Sequence, residues 1–380
     1  MEKILNFCEI SGSSVKIYEG KRKYIATGDI LNNKIISFEE VDYKNKPSRA
    51  NQNVEIGDVI FAKMQNTKKV IIITKENVDN IYSTGFYVIK PKKNVTSEFL
   101  FWLFNSKKFN DDKDKNCKGA TQKAINNEGL NKIAINTLPT IQEQLKIVSK
   151  LDKVQEIIDI REKQIEQLDE LIKSQFVEMF GDTNIVKSNE KTELKTIMIS
   201  ANNGMARRGN DSDGSIVLRL VELQRNYIDY SNVNKIILKD NEKKKYLLAE
   251  GDILFARVNG NPDNVGRCAY YKDIGEDVYH NDHIIRVKFD LHKINPIYLC
   301  TLLNDEYGRK EFKNKIKTSA GQYTISQDGV ERVKIPLPPI ELQNQFADIV
   351  KQIDKQKFEI QKSLEETQKL QESLMNKYFS

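Results

Sequence analysis

Between residues 141 and 180 the apolar positions recur every seven residues. Leu151, Ile158, Ile165, Ile172 and Met179 form one line; Ile147, Val154 and Leu168 form a second, broken by Arg161 and Gln175. The stretch 340–379 repeats the design. Phe346, Ile353, Ile360 and Leu374 keep one line with Thr367 inside it, and Val350, Leu364 and Tyr378 keep the other, with Lys357 and Gln371 as polar breaks. Neither stretch contains Pro or Gly. A 3.5-residue period without breakers predicts two long helices of coiled-coil type rather than surface helices of a globular core, each about 60 Å long at 1.5 Å per residue. Alone, each would leave its seam in water, so the two are expected to pack together, the polar breaks fixing their register. An antiparallel pair would relate the two halves of the chain by a pseudo-twofold axis.

Outside these stretches the apolar runs are short and rich in β-branched and aromatic residues. Val70–Thr74, Gly85–Ile89, Asp252–Ala256 and Ile284–Phe289 read as strands bounded by turn residues. Thr96 and Asn295 read as N-caps of short helices that continue into Phe99–Leu103 and Tyr298–Leu303. The runs themselves recur with a period near 200 residues. Gly57-Asp58-Val59-Ile60-Phe61-Ala62-Lys63 returns as Gly251-Asp252-Ile253-Leu254-Phe255-Ala256-Arg257. Lys118-Gly119-Ala120-Thr121-Gln122-Lys123-Ala124-Ile125 returns as Thr318-Ser319-Ala320-Gly321-Gln322-Tyr323-Thr324-Ile325, and Leu138-Pro139-Thr140-Ile141 as Leu337-Pro338-Pro339-Ile340. Such a period is too long for a solenoid, whose repeats run roughly 20–50 residues, and marks a duplicated domain. The expected organisation is an α/β (α+β) module at 1–140, a long helix at 141–180, a second module at 188–339 and a second long helix at 340–380. The break between the copies is placed at Gly181–Asn184.

Charge assigns different work to the two kinds of segment. The chain of 380 residues carries a net +6, yet the helix at 141–180 is −3 and that at 340–380 is −1, which leaves +10 on the modules. The helices are poor phosphate binders and the modules carry the basic surface. Four scattered cysteines, Cys8, Cys117, Cys268 and Cys300, include no Cys-x-x-Cys pair, so neither a zinc ribbon nor a disulfide framework is indicated. No apolar run approaches the ~18 residues that span a bilayer, and residues 1–6 lack the core of a signal peptide. A cytoplasmic protein without a membrane partner is expected.

Basic and amide side chains gather on what read as loops. The candidates are Lys21, Arg22, Lys23, Lys63, Gln65, Gln122 and Lys123 in the first module, and Arg207, Arg208, Arg219, Arg257, Asn259, Arg267, Gln322 and Tyr323 in the second. Arg pairs bidentately with guanine and Asn or Gln with adenine, while Lys mostly serves phosphate. For any one of these residues an ordinary turn is the competing explanation; their placement in both copies favours double-stranded DNA as partner. Catalytic motifs are weak. Asn295-Pro296-Ile297-Tyr298 is one residue away from the Asn-Pro-Pro-Tyr of amino-methyltransferases, but no glycine-rich loop follows a strand to hold S-adenosylmethionine, and a helix cap with Pro at the first helical position explains it better. His280-Asn281-Asp282-His283 would place its two histidines on opposite faces of a strand. No phosphate-binding Gly-x-x-x-x-Gly-Lys loop occurs. No metal and no cofactor are expected on this chain.

The order of these motifs, twice over, resembles the specificity subunits of type I restriction–modification systems. It rests on Gly-Asp-Val/Ile-x-Phe-Ala-Lys/Arg, then Gly-Ala-Thr-Gln-Lys-Ala-Ile or Ser-Ala-Gly-Gln-Tyr-Thr-Ile, then Leu-Pro-Thr-Ile-Gln-Glu-Gln or Leu-Pro-Pro-Ile-Glu-Leu-Gln, then the long helix ending Met179-Phe180 or Tyr378-Phe379. Each motif alone is unspecific; the order and the duplication, which cover nearly the whole chain, are not. The resemblance implies two target-recognition domains, each reading half of a split, non-palindromic site. It also implies spacer helices that set the gap and dock two methyltransferase subunits, with a motor-nuclease subunit as a further partner. S-adenosylmethionine and the base-flipping chemistry would belong to the methyltransferase subunits. Module two has the longer, more Arg-rich loops, so the halves are expected to read different sequences. The competing classes are a self-contained restriction or methylation enzyme, for which no motif is found, a coiled-coil adaptor without a DNA role, and a specificity subunit of another DNA-modification system.

Overall fold

The computed structural model describes residues 1–181, 191–319 and 321–380. The chain divides into two compact units, one of residues 1–164 and 360–380, the other of residues 165–359. Each unit therefore holds one module together with part of each long helix.

In the first unit a four-stranded antiparallel sheet has the order Cys8–Ile10, Phe86–Pro91, Val59–Ala62, Val70–Ile72. Its central strands are apolar from Val59 to Ala62 and from Phe86 to Ile89, where both faces are covered; Lys90 lies beyond that cover and pairs with Glu55. Val59, Phe61, Tyr87 and Ile89 pack with the helix Ser97–Asn105 in one core, while Ile60, Ala62, Phe86 and Val88 face a second core that contains Ile25, Ile30 and Tyr82. That second core is closed by a mixed sheet in the order Glu39–Val41, Arg22–Ile25, Ile81–Ser83, Ala50–Gln52, in which Ile81 and Tyr82 pair parallel with Tyr24 and Ile25.

The second unit repeats this plan. Its main sheet runs Met198–Asn203, Ile284–Phe289, Ile253–Ala256, Cys268–Tyr270. Ile253, Phe255, Ile285 and Val287 face the core shared with the helix Pro296–Asn304, and Leu254, Ala256 and Ile284 face the other. A three-stranded sheet of Lys235–Ile236, Ser215–Leu218 and Val278–His280 covers that side, its last two strands parallel. The chain is thus a mixed α/β protein with one module per unit.

The recurring Gly-Asp pair is a turn device. Gly57 and Gly251 sit at φ of +91° and +82°, where a Cβ is disfavoured. The buried carboxylates of Asp58 and Asp252 then accept the backbone N–H of Glu55 and Ala249, each at 2.9 Å. Burial pushes both carboxyl pKa values up. The caps behave as read: Thr96 accepts from the N–H of Phe99 at 3.1 Å and Asn295 from that of Ile297 at 2.9 Å. The run Val70–Thr74 stops as a strand at Ile72, because Thr74 turns to donate its N–H to Asn77 Oδ1.

The long helices are Ile141–Phe180 and Ile340–Phe379, 40 residues each. Within the first unit the 141–164 segment lies antiparallel to 360–380. Gln371 donates to Gln155 at 2.8 Å, and Arg161 donates to Ser363 O at 2.7 Å and to the Thr367 hydroxyl. Within the second unit Lys357 meets Asp169 at 2.5 Å, and Phe346 packs edge-on against Phe176. Four of the five polar breaks, Arg161, Thr367, Gln371 and Lys357, face polar partners on the opposite helix, while the fifth, Gln175, donates to Glu178 on its own helix at 3.0 Å. The expectation of a pure coiled-coil seam needs correction at the helix ends. Val148, Phe176 and Ala347 lie off the heptad lines and are buried, because there the helices complete the module cores.

Gly181 ends the first long helix at φ +73°, its N–H bonded to Val177 O at 2.8 Å. The rest of the expected break, Asp182–Asn184, and the expected start of module two at 188 lie outside the described residues, as does Ala320.

Candidate nucleic-acid interface

Both modules build the same two-part platform. In the first, the chain leaves strand Val59–Ala62 at Lys63 and is laced to the hairpin Cys117–Lys118/Ala124–Ile125: Ile125 N–H donates to Lys63 O at 3.0 Å and Gln65 N–H to Lys123 O at 2.9 Å. Lys63, Gln65, Gln122 and Lys123 are thereby brought together, with Gln122 and Lys123 exposed at the hairpin tip. Lys63 is partly committed inward. Its ammonium donates to Thr84 O at 2.9 Å and lies 4.5 Å from the ring centre of Tyr87, and burial lowers its pKa. Gln65 donates to Asp114 O at 3.3 Å.

In the second module Ile325 N–H donates to Arg257 O at 2.9 Å, and Val258 and Asn259 pair with Thr324 and Tyr323. The partner hairpin is Lys317–Ser319/Gln322–Thr324. Arg257 donates to Asp282 O at 3.0 Å, and Arg208 reaches the carboxylate of the same Asp282 at 2.7 Å. Arg208, Arg257, Asn259, Gln322 and Tyr323 therefore form one group. Asn259, Gln322 and Tyr323 lie on strands rather than loops, because this hairpin adds a short ladder to the platform.

The remaining candidates are placed elsewhere. Lys21 pairs with Glu40 at 3.6 Å; Arg22 and Lys23, expected on a loop, lie on the strand Arg22–Ile25 and stack on Tyr18 and Phe38 at 4.7 and 4.4 Å. Among the described residues no hydrogen bond or ion pair joins these three to the Lys63 group. Arg207 is held by Glu242 at 2.7 Å and by Ile237 O. Arg219 grips Glu222, a carboxylate only 3% exposed, and donates to Asn232 O at 3.3 Å. Arg267 donates to Leu220 O at 2.6 Å.

Sequence reasoning missed the side chains that hold the platform. Lys113, 1% exposed, sends its ammonium to Thr67 O at 2.6 Å and Met64 O at 3.2 Å. Burial lowers its pKa against the pull of Asp114, and Asp114 Oδ1 accepts the N–H of Asn66, a residue at φ +56°. A lone Lys in a polar helix gives no signal of burial. Gln144 and Gln343, both fully buried, repeat one another. Each accepts the N–H of a helix cap, Thr96 at 3.0 Å or Asn295 at 2.8 Å, and donates to two carbonyls. Their signal was present in the duplicated Ile-Gln-Glu-Gln and Ile-Glu-Leu-Gln.

The two motifs weighed for catalysis are structural where they are described. Asn295 is a cap, and Tyr298 is buried with its hydroxyl on Pro336 O. The run His280–His283 is not one strand. It ends at His280, whose buried ring faces Tyr246 O at 3.2 Å and whose pKa burial pushes down to about 3; Asn281 and Asp282 then turn against Met205. Among the described residues no group of three His, Cys, Asp or Glu side chains could hold a metal ion. No described helix is long and apolar enough to cross a membrane.

Each unit thus holds a two-sheet module with a strand-and-hairpin platform and part of both long helices. The family model for the type I restriction modification DNA specificity domain matches twice, over residues 6–170 and 183–371. The chain belongs to this family, that of the specificity subunits of type I restriction–modification systems, which recognise DNA and do not catalyse. It is 26% identical over 346 residues to the StySPI specificity subunit of Salmonella potsdam, an alignment that spans 87% of this chain and 74% of that one. It is 23% identical to the EcoKI specificity subunit of Escherichia coli K12 over the same shares. Against the MjaX specificity subunit of Methanocaldococcus jannaschii, described there as putative, identity rises to 31% over 193 residues, half of this chain and 45% of that one. The fold matches the type I S subunit from M. genitalium with a TM-score of 0.59 at 15% identity, covering all of this chain and 95% of that one. It also matches a chain from a structural study of type I complex assembly with a TM-score of 0.56 at 18% identity, covering 98% and 97%.

Proposed function

We propose that the two modules read the two unlike halves of a split, non-palindromic duplex site. The helices at 141–180 and 340–380 would hold the halves at a set gap. The observation that supports this is the pairing of one scaffold with two different edges: the same strand-and-hairpin platform presents Lys63, Gln65, Gln122 and Lys123 in one module, and Arg257, Asn259, Gln322 and Tyr323 in the other. Side chains of these types discriminate base edges by hydrogen bonding.

The helices would also dock two methyltransferase subunits, which bring S-adenosylmethionine, with a motor-nuclease subunit as a further partner in the cytoplasm. Exposed apolar side chains on the helices favour such docking: Ile157, Ile160 and Leu370 in one unit, Leu171 and Phe358 in the other.

Mapping methylated adenines across the source genome, with and without this gene, tests the reading: a single two-part motif should disappear. Removing one heptad from both helices in step should shorten the gap by about 3 base pairs, since seven residues rise about 10 Å and a base pair about 3.4 Å, with both half-sites unchanged. Exchanging the Arg257–Asn261 loop should alter one half-site only. Altered half-sites with an unchanged gap after the heptad removal, or both half-sites altered by the loop exchange, would refute the assignment.

A further inference from the structure

Three arginines of the second unit converge on the loop Asn261–Gly266. Arg309, on the helix Glu306–Lys313, donates to Val265 O at 2.5 Å, and Arg225 donates to Asp263 O at 3.2 Å. Arg267 follows the loop directly and donates to Leu220 O. Each of these bonds goes to a neutral carbonyl. Among the described residues none of the three has a carboxylate within 4.0 Å, as is true also of Arg22, Arg49, Arg161 and Arg257, whereas Arg207, Arg208, Arg219, Arg286 and Arg332 each do. Nε of Arg267 and both Nε and Nη1 of Arg309 are buried and meet no acceptor among the described residues.

Buried guanidinium donors without acceptors are costly, and like charges held together add to the cost. Burial, and after it the charge of Arg225, lowers the pKa of both Arg267 and Arg309, against a weaker opposite pull of Cys268 and the Asp263 carboxylate on Arg309. Arg225 itself is exposed, while the idle donors of Arg267 and Arg309 are buried. A planar guanidinium fork matches the two non-bridging oxygens of a phosphodiester, and an anion held at the exposed Arg225 would offset the repulsion among the three charges. The location suits a nucleic acid. The loop leaves the platform at Asn259, the partner of Tyr323, and ends at Arg267.

We propose that Arg225, Arg267 and Arg309 form an anion site that takes one backbone phosphate of the duplex read by the Asn259–Tyr323 ladder. The site rests on the reading of the second module as a DNA-reading head. It would fix the position of that head along the duplex without contributing to base choice.

The test uses the complex purified from the source cell through a tag on this chain, with a duplex that carries the methylation-mapped site. Arg225→Gln alters an exposed residue with one hydrogen bond to a backbone carbonyl. It should weaken binding of target and unrelated duplexes by the same factor, about three- to tenfold, and make the slope of log affinity against log salt shallower by about 0.9. A single neutral methylphosphonate, stepped through the half-site assigned to this module, should reproduce the loss at one position and abolish the difference between wild type and R225Q there. Arg309→Lys should show the same uniform loss.

Wild-type affinity and slope in R225Q would overturn the site, as would a loss confined to the target sequence, which would make Arg225 a base reader. Inorganic phosphate that raises the melting temperature of the wild type but not of R225Q, with duplex binding unchanged, would assign the arginines to a free anion and equally overturn the proposal. A wild-type complex with no preference for the mapped site would instead take down the recognition reading, and this site with it.

Discussion

Replacing Gln343 by Leu probes how each module is seated on its long helix. The side chain is fully buried and makes three hydrogen bonds: Oε1 accepts from Asn295 N–H at 2.8 Å, and Nε2 donates to Pro338 O at 2.7 Å and Lys293 O at 3.1 Å. Leu roughly keeps the volume but leaves all three backbone groups without their partner. Three bonds at a net ~1 kcal/mol each give about 3 kcal/mol, and an uncompensated buried group can cost ~1–3 kcal/mol. Lys293 is exposed and Asn295 half-buried, so water reaches part of what is left, and the loss should stay near the lower figure. Hydrogen exchange reads the effect where it occurs. The amide of Asn295 should exchange at least tenfold faster in Gln343→Leu, tenfold corresponding to ~1.4 kcal/mol of opening free energy, while the amide of Thr96 should not change. Gln144→Leu should give the mirror result, because Gln144 holds Thr96 at 3.0 Å. Unchanged protection at Asn295, or equal acceleration at both caps, would refute the idea that each glutamine locks its own module.

Lys113→Met should cost about 2 kcal/mol in chemical denaturation, because Thr67 O and Met64 O lose the buried ammonium; stability equal to wild type would count against that anchoring. Arg161 and Thr367 should be coupled by at least ~0.5 kcal/mol in a double-mutant cycle of Arg161→Leu and Thr367→Val, whatever the sign of the single changes; additive effects would remove the register role given to this pair. His280, with a folded pKa pushed down to about 3, stays neutral in the folded chain while the unfolded chain takes up a proton below about pH 6.5. Its contribution is complete above about pH 6.5 and is lost as the pH falls through the window down to about 3, amounting to about 2 kcal/mol by pH 5. Denaturation midpoints of His280→Gln should fall less steeply over that range, and a parallel dependence would exclude His280 as the source.

What was legible in the sequence was whatever carries a local or periodic signal. The long helices follow from heptads, and the strands Val70–Ile72, Phe86–Pro91, Ile253–Ala256 and Ile284–Phe289 from short β-branched and aromatic runs bounded by turn residues, whereas the central strand Val59–Ala62 showed only as part of a repeated motif. The outer sheets were not legible. Arg22–Ile25 and Ser215–Leu218 are short and are made into strands by partners far along the chain, including parallel pairing with Ile81–Tyr82 and Val278–His280. Charge pointed the wrong way there: Arg22 and Lys23 read as loop residues, yet their stems lie along Tyr18 and Phe38. Arg207 read as a DNA-facing loop residue because Glu242, 35 residues on, is invisible to local pattern.

The duplication also separates scaffold from edge in a way no single motif does. The residues that recur most faithfully turn inward: Gly57 and Gly251 take the left-handed turn, Asp58 and Asp252 close it, and Gln144 and Gln343 hold the helix caps. The residues that differ lie on the platform edge, and so does the length of chain. Seven residues separate Val59–Ala62 from Val70–Ile72, while eleven separate Ile253–Ala256 from Cys268–Tyr270. The extra length in the second module lies where Arg225, Arg267 and Arg309 meet. A platform kept constant by internal bonds can change its edge without refolding, because the groups that set its geometry are not the groups it exposes. Substitution at the recurring positions that turn inward should therefore be read out as lost stability, and substitution at the platform edge, where Gln122 and Gln322 are a pair that recurs, as changed recognition with stability intact.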